Sequence, residues 1–102
     1  MSVKVSLIIP HQGSAEQLHT MCKLIPLWNQ HPDEIVIIDS SKIRSEINKE
    51  FAKFCDENNI SVQFIYRENL FPGGARNLGI SSAKHPILAF LDVFKVLYRR
   101  SA

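Results

Sequence analysis

Residues 71–80 read FPGGARNLGI, and residues 86–92 read PILAFLD. In the first segment, paired glycines after a proline predict a helix that ends near Ala83 and presents Arg76 close to its start. The second segment is apolar along its length and closes on Asp92, which is typical of a buried strand that ends in a carboxylate. Together they predict a helix followed by a strand, the second half of a βαβ unit.

Three further strand-like runs precede this pair, at residues 3–10 (VKVSLIIP), 34–39 (EIVIID) and 61–66 (SVQFIY). They are rich in β-branched residues, and the first two are apolar enough to be buried on both faces. Strands that alternate with helices predict an α/β fold, here a Rossmann-like three-layer sandwich with a mostly parallel sheet of about four strands. Because crossovers are right-handed, 3-2-1-4 is the most economical strand order.

The remaining two helices are predicted from their start signals and apolar faces. A capping box at Ser14 and Gln17 begins the first, which we expect to run to about Asn29 with a kink or early stop just before Pro26. The second is expected over residues 43–59, where isoleucines and phenylalanines recur at helical spacing.

Composition limits the class of protein. The chain has 102 residues, 45% hydrophobic and 22% charged, which fits one globular domain. A net charge of +2 is too small for a nucleic-acid groove, and a basic C-terminal tail is expected to be a solvated terminus rather than a contact for nucleic acid or acidic lipid. Without a signal peptide or an apolar run of roughly 18 residues, we expect a cytoplasmic protein with no membrane span. Cys22 and Cys55 are expected to be buried free thiols.

Candidate functional residues follow the predicted strands: Pro10 and His11 after the first, Asp39 after the second and Asp92 after the fourth. The carboxyl ends of parallel strands share one edge, and a crevice opens where the chain reverses between strands one and four. Asp39, Asp92 and the glycine-rich helix start with Arg76 should therefore converge. A carboxylate can accept hydrogen bonds from ring N–H groups and ribose hydroxyls, and a helix start can bind an anion.

Each residue also has an ordinary structural interpretation. Asp39, with the two serines after it, fits as a cap of the second helix, and Asp92 fits as a cap at the end of its strand. Gly74 and its neighbour fit as a tight turn, Arg76 as a surface helix residue, and His11 as a polar turn residue. The turn after the first strand contains a single glycine, so it is neither a dinucleotide fingerprint nor a P-loop.

Four segments, in the same order and at similar intervals, resemble the family 2 glycosyltransferases, GT-A-type enzymes that use nucleotide-diphosphate sugars: VSLIIPHQG, EIVIIDSS, GGARNLGISSA and PILAFLD. The resemblance runs from Val3 to about Val93. It implies that residues 1–92 are the nucleotide-sugar-binding half of such a domain and that residues 93–102 are an atypical C-terminal tail.

The resemblance also implies roles for five residues in binding the nucleotide. Pro10 and His11 would line the base and ribose of a uridine- or guanosine-type nucleotide, and Asp39 would accept a hydrogen bond from the base ring. Arg76 would approach the base or the diphosphate, and Gly74 belongs to the helix start beside it.

Asp92 corresponds to the first acid of the family's DxD motif, which implies a place near the ribose and a divalent metal, Mn²⁺ or Mg²⁺. Phe94 stands where the last acid of that motif should be, and Ser40 replaces an acid common after the second strand. The family's acceptor site and general base would lie beyond this chain, so we expect a catalytically incomplete fragment.

The resulting expectation is a domain that binds a nucleotide-diphosphate sugar and is related to sugar transfer to a hydroxyl acceptor. One alternative is a non-catalytic remnant acting as an oligomerisation or interaction module, and another is an unrelated doubly wound nucleotide binder. The fourth strand would be an exposed apolar edge unless the tail covers it, and we predict a homo-oligomer through that edge.

Overall fold

The computed structural model describes residues 3–91 and 96–100. Along the chain lie β1 (Val5–His11), α1 (Ala15–Cys22), a 3₁₀ turn (Ile25–Leu27), β2 (Glu34–Asp39), α2 (Lys49–Glu57), β3 (Ser61–Tyr66), α3 (Pro72–Ser82), β4 (Ile87–Leu91) and β5 (Val96–Arg100). The sheet order is β3-β2-β1-β4-β5, and the first four strands are parallel. The Rossmann-like α/β fold and the strand order 3-2-1-4 are confirmed.

Three layers follow from the direction in which the chain crosses the sheet. From β1 to β3 the chain moves one way, so right-handed crossovers place α1 and α2 on the same face. It then returns past β1 to β4, which places α3 on the opposite face. Each face has its own buried apolar cluster: Leu18, Met21, Phe51 and Cys55 belong to the first, and Ala75, Ile8 and Phe90 to the second.

The far edge of β4 is paired with β5, which runs antiparallel with Ile87 opposite Arg100 and Leu91 opposite Val96. The tail therefore covers the β4 edge, which is the case that the sequence analysis gave as the alternative to an exposed edge. The exposed β4 edge on which the predicted homo-oligomer depended is not present, because β5 occupies its hydrogen-bonding positions. In the part of the chain that the structure describes, no helix has the length and apolar character needed to cross a membrane.

Two predicted helices begin or end at other residues. The first ends at Cys22, and the 3₁₀ turn around Pro26 replaces its expected continuation to Asn29, because proline lacks the N–H that an α-helix needs. The second begins only at Lys49, after Asn48, whose Oδ1 accepts a hydrogen bond from the backbone N–H of Glu50 at 2.8 Å.

Close packing of α3 against the sheet depends on Gly79. A Cβ atom added there would lie 2.4 Å from Cγ2 of Ile8 and 3.6 Å from Cγ1 of Ile38. Both isoleucines are fully buried in the two central strands. Gly79 therefore lets the helix backbone approach the sheet more closely than any side chain would allow.

Candidate functional site

The carboxyl ends of the central strands carry the candidate site. His11 ends β1 and lies in register opposite Asp39, which ends β2. The backbone N–H of Ser40 donates to the His11 carbonyl at 2.9 Å and keeps the two strand ends together. Because β1 lies between β2 and β4, this is also where the chain reverses direction across the sheet. His11 and Asp39 therefore share one edge of the sheet, as expected for the carboxyl ends of parallel strands. The predicted convergence of Asp39 with Asp92 and the start of α3 stays a prediction, since Asp92 lies outside the described residues.

The Asp39 side chain is fully buried and its carboxylate is hydrogen bonded on both oxygens. Oδ1 accepts from the Ser41 hydroxyl at 2.6 Å and from the Ser41 backbone N–H at 3.1 Å, and Oδ2 accepts from the Ser45 backbone N–H at 2.6 Å. These bonds hold residues 40–48 in an irregular path, which is why α2 begins later than predicted. Asp39 thus organises the segment after β2 rather than capping a helix.

His11 is 2% exposed, and its ring is held by one hydrogen bond, 3.0 Å from Nε2 to the Ser14 carbonyl. A carbonyl only accepts, so Nε2 carries the proton. Burial lowers the pKa of His11 below its ordinary value, although nearby Asp39 and the Ser14 carbonyl both oppose this shift. The ring is therefore neutral near pH 7, and its Nδ1 is a buried acceptor without a partner among the described residues. Pro10, half-buried, precedes it on β1.

The start of α3 carries the other nucleotide-binding candidates. Its N-cap residue, Phe71, makes no side-chain hydrogen bond to the first turn, and the Phe71 side chain is 82% exposed. A Cβ added at Gly73 would have no neighbour within 4 Å, and one at Gly74 would lie at an ordinary 3.6 Å from Leu70. The space beside Gly73 is therefore open, whereas Gly74 packs against Leu70. Arg76 is half-buried one turn further along the helix.

Ser41 was not among the candidate functional residues predicted from the sequence. It is 2% exposed, and its hydroxyl also accepts a hydrogen bond from the Gly13 backbone N–H at 2.9 Å. Its carbonyl accepts from the Tyr66 hydroxyl at 2.9 Å, so one residue ties together the ends of β1, β2 and β3. The spacing Asp39-x-Ser41 is the sequence signal that could have indicated the local turn. Nothing in the sequence indicated the contacts with Gly13 and Tyr66, which are distant along the chain.

The opposite end of β2 holds a second buried carboxylate, Glu34, which sequence reasoning did not identify. It accepts hydrogen bonds from the Ser6 hydroxyl (2.8 Å), the Gln63 amide (2.9 Å) and the Lys84 backbone N–H (2.9 Å). Burial alone would raise its pKa, but these bonds, with His85 nearby, hold the pKa of Glu34 below its ordinary value. Three strands and the loop between α3 and β4 meet at this carboxylate, and it lies away from the candidate site.

The predicted metal ligand, Asp92, and Phe94 lie outside the described residues. Within the described part of the chain, no three His, Cys, Asp or Glu side chains are grouped so that they could hold a metal ion. The residues described here therefore do not form a metal site by themselves, and metal binding stays a prediction that rests on Asp92.

Comparison with known proteins identifies relatives that are much longer. An uncharacterized glycosyltransferase of Rickettsia bellii is 32% identical over 90 residues, which are 87% of this chain and 12% of the relative. A second, from Rickettsia conorii, is 28% identical over 96 residues, or 94% of this chain and 15% of the relative. The chain thus spans less than a sixth of the length of these curated relatives.

Solved structures share the fold at lower identity. The mannosyltransferase PcManGT from Pyrobaculum calidifontis, in complex with GDP-Man and Mn²⁺, has a TM-score of 0.65 at 18% identity over 91% of this chain and 28% of its own. The glucosyl-3-phosphoglycerate synthase of Mycobacterium tuberculosis, in complex with Mn²⁺ and UDP, has a TM-score of 0.58 at 18% identity over 90% of this chain and 34% of its own.

The family model for glycosyl transferase family 2 matches residues 6–93, which run from the second residue of β1 past the end of β4. This match rules out the alternative of an unrelated doubly wound nucleotide binder. The chain belongs to glycosyl transferase family 2.

Proposed function

We propose that this chain binds the nucleotide of a nucleotide-diphosphate sugar, as the donor-binding part of an enzyme that transfers the sugar to a hydroxyl acceptor. The observation that carries the proposal is the buried pair at the carboxyl ends of β1 and β2, where Asp39 lies in register with His11. Solved relatives of the same fold contain GDP-Man or UDP with Mn²⁺, which supports a nucleotide sugar as the ligand.

Each candidate residue has a proposed task at this edge. The Asp39 carboxylate accepts a hydrogen bond from a ring N–H of the base, and the unpartnered Nδ1 of His11 accepts from the base or a ribose hydroxyl, with Pro10 beside them. The backbone N–H groups around Gly74 and the Arg76 guanidinium are proposed to bind the diphosphate, because an open helix start and an arginine both favour anions.

A divalent cation, when bound, would neutralise the diphosphate leaving group, and Asp92 is the residue proposed to hold it. Phe94 in place of a second acid supports the proposal that this chain alone is catalytically incomplete. A cytoplasmic location is proposed on the support of Cys22 and Cys55, both of which are free and buried.

A second candidate function is that of a non-catalytic interaction module. It is favoured by the complete burial of Asp39, whose two oxygens are bonded within the chain. Under this alternative Asp39 serves only to shape residues 40–48, and the domain binds no nucleotide. A homo-oligomer stays a prediction, although the β4 edge is not available for it.

Calorimetric titration of the chain with uridine, guanosine and adenosine diphosphates, with and without Mn²⁺, separates the two functions. We expect binding of the uridine or guanosine nucleotide that weakens roughly 10- to 150-fold in Asp39→Ala and in Arg76→Ala, since a hydrogen bond to a charged group contributes about 1.5–3 kcal/mol. Arg76→Ala keeps the test valid if loss of Asp39 unfolds the chain.

The matched control is Lys53→Ala, which removes the same charge from a side chain that is 78% exposed on α2. It should bind as the wild type does. A folded wild-type chain that binds none of the nucleotides would refute the proposed function and favour the interaction module.

A further inference from the structure

The two oxygens of the Asp39 carboxylate are held by different parts of the chain. Oδ1 receives both of its donors from Ser41, two residues further on, whose peptide continues directly from β2. Oδ2 receives its donor, among the described residues, from the backbone N–H of Ser45. A carboxylate oxygen accepts about two hydrogen bonds, so the described residues fill Oδ1 and supply only one donor to Oδ2.

The two donors differ in how firmly they are anchored. Ser41 is fixed from three directions, because its hydroxyl bonds Gly13 and Asp39 and its carbonyl bonds Tyr66. Ser45 is the single buried residue in the surface segment 42–46, where Ile43 is 84% exposed. Its own hydroxyl is buried without a partner in the described part of the chain, which costs free energy that is recovered when the segment moves outward.

We propose that Ser41 is a positioning residue for nucleotide recognition and that the Ser45 N–H occupies the place of the nucleobase. On binding, a ring N–H of the base replaces the Ser45 N–H as the donor to Oδ2 of Asp39. Ser41 stays hydrogen bonded to Oδ1 and so fixes the orientation of the carboxylate and of the Oδ2 lone pairs. This inference rests on the proposed function.

The exchange explains how a fully buried carboxylate can still be a ligand-binding group. One N–H donor replaces another, so the charge on Asp39 is never left without its partner at Oδ2. The segment that moves carries exposed residues on both sides of Ser45. Its outward displacement gives up the bonds of the Lys42 carbonyl to Tyr66 (3.3 Å) and of the Glu46 carbonyl to His19 (3.1 Å), which are exposed contacts that water can replace. It also takes Arg44 off the Phe64 ring. Ser41 cannot leave in the same way, because its departure would also release Gly13 and Tyr66.

The first experiment measures binding of two pairs of probes to the chain and its variants. The probes are uridine diphosphate with its N3-methyl analogue, and guanosine diphosphate with its N1-methyl analogue, in which the methyl group replaces the ring hydrogen. Ser41→Ala should weaken binding of the parent nucleotide about tenfold, the lower end of the range for a hydrogen bond to a charged group. It should weaken binding of the methyl analogue less than twofold, since that ligand has no N–H to be positioned.

Ser41→Thr, which keeps the hydroxyl, should recover binding of the parent nucleotide. Ser40→Ala is the matched control: Ser40 is also buried, but its hydroxyl lies 3.4 Å from the His11 carbonyl and does not bond Asp39. An equal loss for parent and methyl analogue would make Ser41 merely structural and overturn the inference, although the proposed function would survive.

The second experiment follows the amide hydrogens of Ser41 and Ser45 by NMR hydrogen exchange. Saturation with the nucleotide that binds should speed exchange of the Ser45 amide at least tenfold and leave the Ser41 amide protected. A Ser45 amide that stays equally protected in the saturated complex overturns the exchange at Oδ2. Failure of the wild-type chain to bind either parent nucleotide overturns this inference and the proposed function together.

Discussion

Replacing Gly79 with alanine tests how α3 is placed over the sheet. The added methyl carbon would lie 2.4 Å from Cγ2 of Ile8, whereas carbon atoms in contact are normally about 3.5–4.0 Å apart. Ile8 is fully buried and its Cγ2 is attached directly to Cβ, so it cannot swing aside. The helix itself must therefore move away from the sheet by about 1 Å.

The expected cost follows from two opposing effects. Overpacking of a core costs about 1–3 kcal/mol, and the severity of this contact places Gly79→Ala in the upper part of that range. Alanine in place of glycine inside a helix contributes about 1 kcal/mol of stability. The net loss should therefore be about 1–2 kcal/mol, which lowers the Tm of a chain of this size by roughly 4–16 °C.

Urea and thermal unfolding measure the effect, with Gly73→Ala as the matched control. A Cβ at Gly73 meets nothing within 4 Å, so this variant should be as stable as the wild type or slightly more so. In a background of Ile8→Ala, which removes the clashing methyl group, Gly79→Ala should cost less than it does alone. A Gly79→Ala chain as stable as the wild type, with α3 in place, would refute the reasoning.

The remaining predictions concern titrating groups and one helix cap. The folded-state pKa of Glu34 lies below its ordinary value of 4.5, so near and below that pH the unfolded chain binds more protons than the folded chain. The free energy of unfolding should therefore decrease as the pH is lowered through this region, and Glu34→Gln should flatten this limb of a pH–stability curve. The lowered pKa of His11 also makes the unfolded chain bind more protons than the folded chain, here from about pH 6.5 downward. Stability should therefore begin to decrease as the pH drops below 6.5. If His11→Gln shows the same decrease, His11 is not its cause. Burial raises the pKa of Cys22 to about 12, with a further contribution from nearby Cys55, and burial raises the pKa of Cys55 to about 11. Iodoacetamide at pH 8 should therefore label neither thiol until urea unfolds the chain. Asn48→Ala should cost about 1 kcal/mol in urea unfolding through loss of the α2 N-cap, and an unchanged midpoint would show that the cap contributes nothing.

Much of the fold was predictable because the relevant signals are local or geometric. Apolar runs marked three of the four parallel strands, and alternating polar and apolar residues marked β3; right-handed crossovers then allowed few strand orders. The capping box at Ser14 marked the start of α1 correctly. The start of α2 was predicted too early, because the apolar spacing from Ile43 onward gave no sign that the Asp39 carboxylate would hold that segment out of a helix.

The position of the candidate site could be predicted from the sequence, but the burial and hydrogen bonding of its residues could not. Topology places His11 and Asp39 together, because the carboxyl ends of parallel strands share an edge. The burial of Asp39 and the role of Ser41 were not predictable, since they depend on contacts with Gly13 and Tyr66. Whether Asp39, Gly74, Arg76 and the other candidate residues bind a nucleotide is still a prediction.

The amino-acid sequence by itself determined which segments become strands, which of them are buried, and which polar residues stand at their ends. These properties depend on hydrophobic period and turn chemistry, which act over a few neighbouring residues. Only the tertiary structure decided that Gly79 must lack a side chain, that Glu34 is stabilised by Ser6, Gln63 and Lys84, and that β5 covers β4. Each of these depends on the distance between groups that are remote along the chain, and packing alone brings such groups together.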